Sequence, residues 1–217
     1  MVKIDLHLHT EYSYDSLLNL EQLIHTVMAG KVDAVAVTDH NEIEGALKLQ
    51  KTAPFKVIVG EEVRTTAGEI IGLFLKQKIN PGLPPLETIM QIKEQGGLVM
   101  IPHPFDRLRS SALNRETLME LLEHIDLLEV LNARNVFKKD NELACAFAAR
   151  NQLLKVAGSD AHTKYEVGKA YVEMEPFTDR NDFLLKLKTA TVAGEKSSLT
   201  YHLITKTIKI VTGGRGT

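Results

Sequence analysis

The stretch Val2-Lys3-Ile4-Asp5-Leu6-His7-Leu8-His9 decides how the rest of the chain is read. Its alternation is that of a β-strand, with Val2, Ile4, Leu6 and Leu8 on one face and Lys3, Asp5, His7 and His9 on the other. An ordinary strand of this kind turns its second face to water. Here that face collects two imidazoles and a carboxylate. Residues two apart on a strand lie about 6.5–7 Å from one another along the backbone, so both rings can reach a single ion.

Outward from this stretch, short aliphatic or β-branched runs alternate with amphipathic ones. The pattern predicts strands over Val2–Leu8, Val32–Val37, Lys56–Val59, Ile70–Phe74, Leu98–Ile101, Ile125–Val130, Leu154–Ala157 and Ala170–Met174. Helices are expected over Leu20–Ala29, Glu42–Lys51, Leu86–Gln95, Arg115–His124, Asn141–Asn151, Arg180–Thr189 and Leu199–Ile210. The segment Gln77–Pro85 reads as a loop. Alternating βα units imply a mostly parallel sheet with helices outside it. No glycine-rich dinucleotide fingerprint follows the first strand, which favours a barrel over a doubly wound open sheet. One domain over residues 1–212 is expected, followed by a disordered tail, 213–217.

Composition narrows the functional classes. Of 217 residues, 44% are hydrophobic and 25% charged, the balance of a soluble globular protein. A formal charge of −2 leaves no strong nucleic-acid footprint and argues against a protein that coats DNA or RNA. No apolar run approaches a membrane span and no leader is recognisable, so a cytoplasmic location is expected. The single cysteine, Cys145, excludes an internal disulfide and reads as a buried core thiol. His25, His124 and His202 fall on helical stretches and read as structural or solvated.

The remaining polar residues gather at strand ends. His7, His9 and Asp15 follow the first strand; Thr38-Asp39-His40 the second; Gly60-Glu61-Glu62 the third; Glu69 opens the fourth. His103 stands between prolines after the fifth, Glu129 and Asn132 come at the sixth, and Asp160 and His162 after the seventh. In a parallel barrel these ends share one rim, where sites are built. Imidazoles and carboxylates without thiolates suit Zn²⁺, Mn²⁺ or Fe²⁺, and the set exceeds the needs of one tetrahedral ion. A surplus of this kind fits two or three ions that activate water and clamp phosphate oxygens. Asp5 and Asp39 read as acceptors that orient neighbouring histidines. Spacing alone leaves Glu61 and Glu62 as alternatives.

In this order, DLHLHT, TDH, GEE, PHP and GSDAH resemble the motifs of the polymerase and histidinol phosphatase (PHP) superfamily, from residue 5 to about 170. The resemblance implies a distorted (β/α)7 TIM-like barrel of α/β class and phosphoester hydrolysis at a two- or three-metal site. It implies metal ligation by His7, His9, His40, Glu62, His103, Asp160 and His162, with Asp15 on a third ion. Glu69 stands where some relatives carry a histidine ligand, so its carboxylate is a further candidate. His40, His162 and Asp160 are the candidate catalytic residues, with either histidine placed to protonate the leaving oxygen. Arg107, Arg109 and Arg134 are candidate phosphate clamps, because guanidinium pairs with phosphate in a bidentate manner. The expected partner is a small phosphorylated metabolite or nucleotide. An amidohydrolase-type barrel and a non-catalytic metal-binding module stand as alternatives.

Overall fold

The computed structural model describes residues 1–198; the helix expected over Leu199–Ile210, His202 and the expected tail lie outside the described residues. In chain order the elements are β1 (Val2–Leu8), α1 (Leu20–Met28), β2 (Ala34–Val37), α2 (Glu44–Thr52), β3 (Lys56–Thr65), β4 (Gly68–Leu73), α3 (Pro85–Glu94) and β5 (Leu98–Ile101). They continue with α4 (Arg115–Glu120), β6 (Leu127–Asn132), α5 (Lys138–Arg150), β7 (Leu154–Gly158), β8 (Ala170–Met174), α6 (Arg180–Leu187) and β9 (Thr191–Gly194). Local chemistry sets the helix starts. The side chains of Asn19, Asn114 and Asp179 each accept a backbone N–H of the first turn of α1, α4 and α6. The helix expected over Arg115–His124 is broken at Leu121 and resumes as a short 3-10 turn, Leu122–His124.

The strands form one sheet in the order β7-β6-β5-β4-β3-β2-β1-β8-β9. β1, β2 and β3 pair in parallel, as do β5, β6 and β7; β4 runs antiparallel to both of its neighbours. The sheet nearly closes on itself at β1. Its lower half pairs with β8, whereas its upper end meets the chain leaving β7, through His9 N–H to Ala161 O at 2.8 Å and Asp160 N–H to His7 O at 2.7 Å. The result is a distorted TIM-like barrel of α/β class with a β8–β9 hairpin set into its seam.

Two apolar clusters define its layers. The outer one combines strand residues such as Leu8, Val35 and Val99 with the inward faces of α1 to α5. The inner one draws Ile4, Leu6, Ala36, Ile58, Ile71, Met100, Val156 and Val172 from the strands and is plugged by Phe177 together with Phe183 and Leu187 of α6. Strict alternation along β1 would send Ile4, Leu6 and Leu8 the same way, but the structure divides them. The register against β2 slips between Asp5 and Leu8, a bulge that lets Ile4 and Leu6 fill the barrel while Leu8 points to the helices.

β3 also runs further than its first four residues suggest. It passes through Gly60-Glu61-Glu62 to Thr65 because β4 folds back on it, pairing from Gly60–Leu73 to Thr65–Gly68. The fourth strand is therefore reversed, and its start lies at the same rim as the ends of the parallel strands. β9 has no apolar run of its own and is held by pairing with β8.

Candidate metal centre

The rim brings together nine side chains from seven places in the chain. β1 and the loop after it supply His7, His9 and Asp15; His40 follows β2 and forms an isolated bridge with Glu62. Glu62 continues the inward series begun by Ile58, which turns Glu61 outward, and Glu69 opens β4. His103 follows β5, and Asp160 and His162 follow β7. His7, His9, Glu62, His103 and Asp160 have no exposed surface.

Their polar atoms converge. His7 Nε2 and His9 Nε2 are 3.1 Å apart, and His9 Nε2 lies 3.4 Å from both Glu62 Oε2 and Asp160 Oδ1. Glu62 spans the cluster, with Oε1 3.0 Å from His103 Nε2 and Oε2 3.0 Å from His40 Nδ1. Glu69 Oε2 stands 3.7 Å from His103 Nε2. Asp15 sits between His40 (3.6 Å) and His162 (3.3 Å). Four overlapping triads have donor atoms within 4.8 Å of one another: His9-His40-His162, His7-Glu62-His103, His7-His9-Asp160 and His40-Glu62-Glu69.

Two features show that the set suits divalent cations. Among the described residues, Asp15 Oδ1, Glu62 Oε2, Glu69 Oε2 and Asp160 Oδ1 are buried and accept no hydrogen bond, a costly state for carboxylate oxygens without a cation. Both Nε2 atoms of His7 and His9 also face the centre, because each ring meets an oxygen at Nδ1: Glu129 Oε1 at 3.0 Å and Ser13 Oγ at 3.2 Å. Two nitrogens this close need a proton or a metal cation between them. Oxygen-held imidazoles of this kind are the usual arrangement at metal sites. His103 and Asp160 adopt positive φ angles of 30° and 53°, a strained conformation for residues other than glycine.

The same electrostatics act on protons. Burial opposes a charged His7, but Glu129, Asp160 and Glu62 outweigh it and hold the ring well above the usual histidine range. Burial is likewise outweighed at His40 by Glu62 and Asp15, which raise it. His9 goes the other way, down to about 3, through burial and the neighbouring His40 and His162. Glu62 and Asp160 are buried yet held well below the carboxylate range, Glu62 by His7 and His40 and Asp160 by Arg109 and His7. Negative oxygens thus draw protons onto imidazoles in the absence of another cation, and those protons leave when a metal binds.

The orienting groups differ from the expected ones. Among the described residues Asp5 touches no imidazole: it accepts Ser159 N–H (2.8 Å), Ser159 Oγ–H (2.5 Å) and Gly168 N–H (2.9 Å), and ties the barrel seam. Asp39 acts through Ser13, whose hydroxyl donates to it at 2.7 Å while meeting His9 Nδ1 and the His40 N–H. Glu129 holds His7, a role hidden in the apolar-looking run Leu127–Asn132, where only its place near a strand end marks it. Each candidate arginine meets a carboxylate. Arg109 donates to Asp160 at 2.6 Å, Arg107 to Asp140 at 2.6 Å, and Arg134 lies against Glu166 with Nη1 2.6 Å from His162 Nδ1. Arg109 and Arg134 therefore border the cluster, whereas Arg107 is drawn toward α5 and over the Phe137 ring. Cys145 is half-buried rather than buried, packed against the outer core beside Lys155. His25 is exposed, and His124 lies in the 3-10 turn, away from the cluster.

Comparison with known proteins sets this geometry in a family. A family model described as PHP-associated matches residues 138–192. An uncharacterized protein of Methanocaldococcus jannaschii is 34% identical over 210 residues, 91% of this chain and 85% of the relative. A two-domain protein of Bacteroides vulgatus, described as containing a predicted PHP-like metal-dependent phosphoesterase, superposes with a TM-score of 0.70 at 15% identity, over 95% of this chain and 69% of that one. The chain belongs to the PHP superfamily. The PHP barrel is also similar to an amidohydrolase of Chromobacterium violaceum, with a TM-score of 0.58 at 18% identity over 76% of this chain and 89% of the other. Among the described residues no helix is long and apolar enough to cross a membrane.

Proposed function

We propose that this PHP protein is a metal-dependent phosphoesterase acting on a phosphate ester of a small metabolite or nucleotide. The observation that carries the reading is the set of buried carboxylate oxygens of Glu62, Asp160, Asp15 and Glu69, which accept no hydrogen bond and converge on imidazole nitrogens. His7, His9, Glu62, His103 and Asp160 would hold the inner ions, and His40, His162, Asp15 and Glu69 complete a set of two or three, with Zn²⁺, Mn²⁺ or Fe²⁺ all suited to the donors. When bound, such ions make water a nucleophile near neutral pH and neutralise charge on phosphoryl oxygens.

The chain supplies the rest. Glu62, within 3.6 Å of four imidazoles, would be the ligand common to the ions. Arg109 and Arg134 flank Asp160 and His162, where they can turn from carboxylate to phosphate oxygens and orient the ester. His162 Nδ1 lies 2.6 Å from the Arg134 donor and 2.8 Å from the Asp160 carbonyl, so the ring has a partner in either protonation state. With Nε2 carrying a proton rather than an ion, that arrangement suits it to protonate the leaving oxygen. A near-neutral chain favours a small anion over a long polyanion as substrate.

The test is a hydrolysis screen with p-nitrophenyl phosphate, its bis-ester, a dinucleotide and phosphorylated metabolites, each with Mn²⁺, Zn²⁺ and Fe²⁺. Phosphoester turnover that needs added metal, and falls at least about 10³-fold in Asp160→Ala, is expected. Unchanged turnover in that variant rejects the assignment. Carboxyl ester and amide substrates belong in the same screen because of the likeness to an amidohydrolase. Turnover of those alone would favour that second reading.

A further inference from the structure

Glu129, near the end of β6, touches two members of the cluster at once. Its Oε1 lies 3.0 Å from His7 Nδ1, and its Oε2 accepts the backbone N–H of His103 at 2.7 Å. Asn132 Nδ2 donates to the same Oε2 at 2.9 Å and reaches Asp160 Oδ2 at 3.3 Å. The side chain is 1% exposed, and among the described residues its ion-pair contact is with His7.

A carboxylate in so dry a site is costly unless its donors repay it. A glutamine has the same shape without that cost, so the second oxygen needs a reason. Only a carboxylate can accept on both sides. A glutamine turned to accept from His103 would present its amide hydrogens to His7. Turned the other way, it would set them against the His103 N–H. To meet an amide donor, His7 Nδ1 must carry the lone pair, which moves the ring proton to Nε2. That is the atom facing His9 and the centre. The same carboxylate holds the backbone of His103, whose φ of 30° does not persist without support.

We propose that Glu129 is a positioning residue for the metal centre. It keeps His7 Nε2 free of its proton and pins His103, so that the triads His7-His9-Asp160 and His7-Glu62-His103 fill as coupled positions. The proposal rests on the metal-centre reading above, and the experiment separates the two.

Chelator-treated wild type, Glu129→Gln and Glu129→Asp are titrated with Zn²⁺ alone in competition with a chromophoric chelator. Circular dichroism of the metal-free proteins checks the fold. Wild type is expected to take up zinc cooperatively. Glu129→Gln should bind roughly 10–100-fold more weakly at both positions, as is typical when a group orienting a ligand is lost. Glu129→Asp keeps the charge but is one methylene too short to span both contacts, and should lose the cooperativity. In the zinc-loaded, ¹⁵N-histidine-labelled wild type, an Nδ1–H signal that vanishes in His7→Ala should also be absent in Glu129→Gln. A mere packing defect would leave that signal in place. Zinc binding by Glu129→Gln within about two-fold of wild type, a loss confined to one position, an unaltered Nδ1–H signal, or cooperative binding by Glu129→Asp would each overturn the proposal. Absence of zinc uptake by wild type would instead defeat the metal-centre reading, and the proposal with it.

Discussion

Glu61 and Glu62 are neighbours with opposite surroundings. Glu62 faces the barrel mouth among imidazoles, whereas Glu61 turns outward, with Oε2 accepting the Ile79 N–H at 2.8 Å and Oε1 unpartnered. Burial pushes Glu61 up from an ordinary value near 4.5 to about 7, against the pull of Ile79 N–H and Lys78. A raised acid binds its proton more tightly folded than unfolded. Stability therefore falls as pH rises from about 4.5 through 7, by about 3 kcal/mol in all. Glu61→Gln keeps an acceptor for Ile79 and should remove that slope. Denaturant unfolding of both proteins from pH 4.5 to 8 should show the variant's advantage growing with pH; parallel curves would refute it. At this scale the doublet GEE was unreadable from spacing, because the face of each glutamate depends on strand register. His7, His9, His103, Asp160 and His162 were legible because imidazoles and carboxylates at strand ends are chemically conspicuous. Glu129 was not marked as an orienting group, since its partner His7 is 122 residues away and meets it only across the closed barrel.

Elements place these residues through close approaches. A Cβ added at Gly158 would lie 2.2 Å from His7 Cβ and 2.8 Å from Glu129 Oε1, so glycine is what lets β7 come up against β1. Gly158→Ala should push His7 off its line. It is expected to cost about 1–3 kcal/mol as overpacking and to weaken metal binding more than an equally destabilising change elsewhere. Chelator-competition titration beside thermal unfolding measures both, and metal affinity equal to wild type would contradict this. The starts of β1, β3, β5, β7 and β8 and of α1, α4 and α6 were readable from apolar periodicity. What was not readable is tertiary. The bulge in β1, the reversal of β4 and the pairing of β9 depend on neighbouring strands, and no local pattern announces them.

At the scale of the whole molecule, the barrel is apolar below and polar above. Phe183, fully buried against Phe74 and Phe177, closes the lower end, far along the strands from the metal cluster. Phe183→Ala should cost about 3–5 kcal/mol of stability while leaving metal affinity near that of wild type at a temperature where the fold persists. A parallel collapse of metal binding, seen by the same titration, would show that the two ends are not separable. The upper end gathers more negative oxygen than its imidazoles and arginines satisfy, which is the physical ground for the proposal of more than one ion. The most direct measurement is elemental analysis of the chain after equilibrium dialysis with Zn²⁺ or Mn²⁺, beside Glu62→Ala treated identically. The account predicts two or three ions per wild-type chain and at least one fewer in the variant, because Glu62 stands between the positions. A wild-type chain that retains fewer than two ions, or a variant that retains as many as wild type, would contradict it.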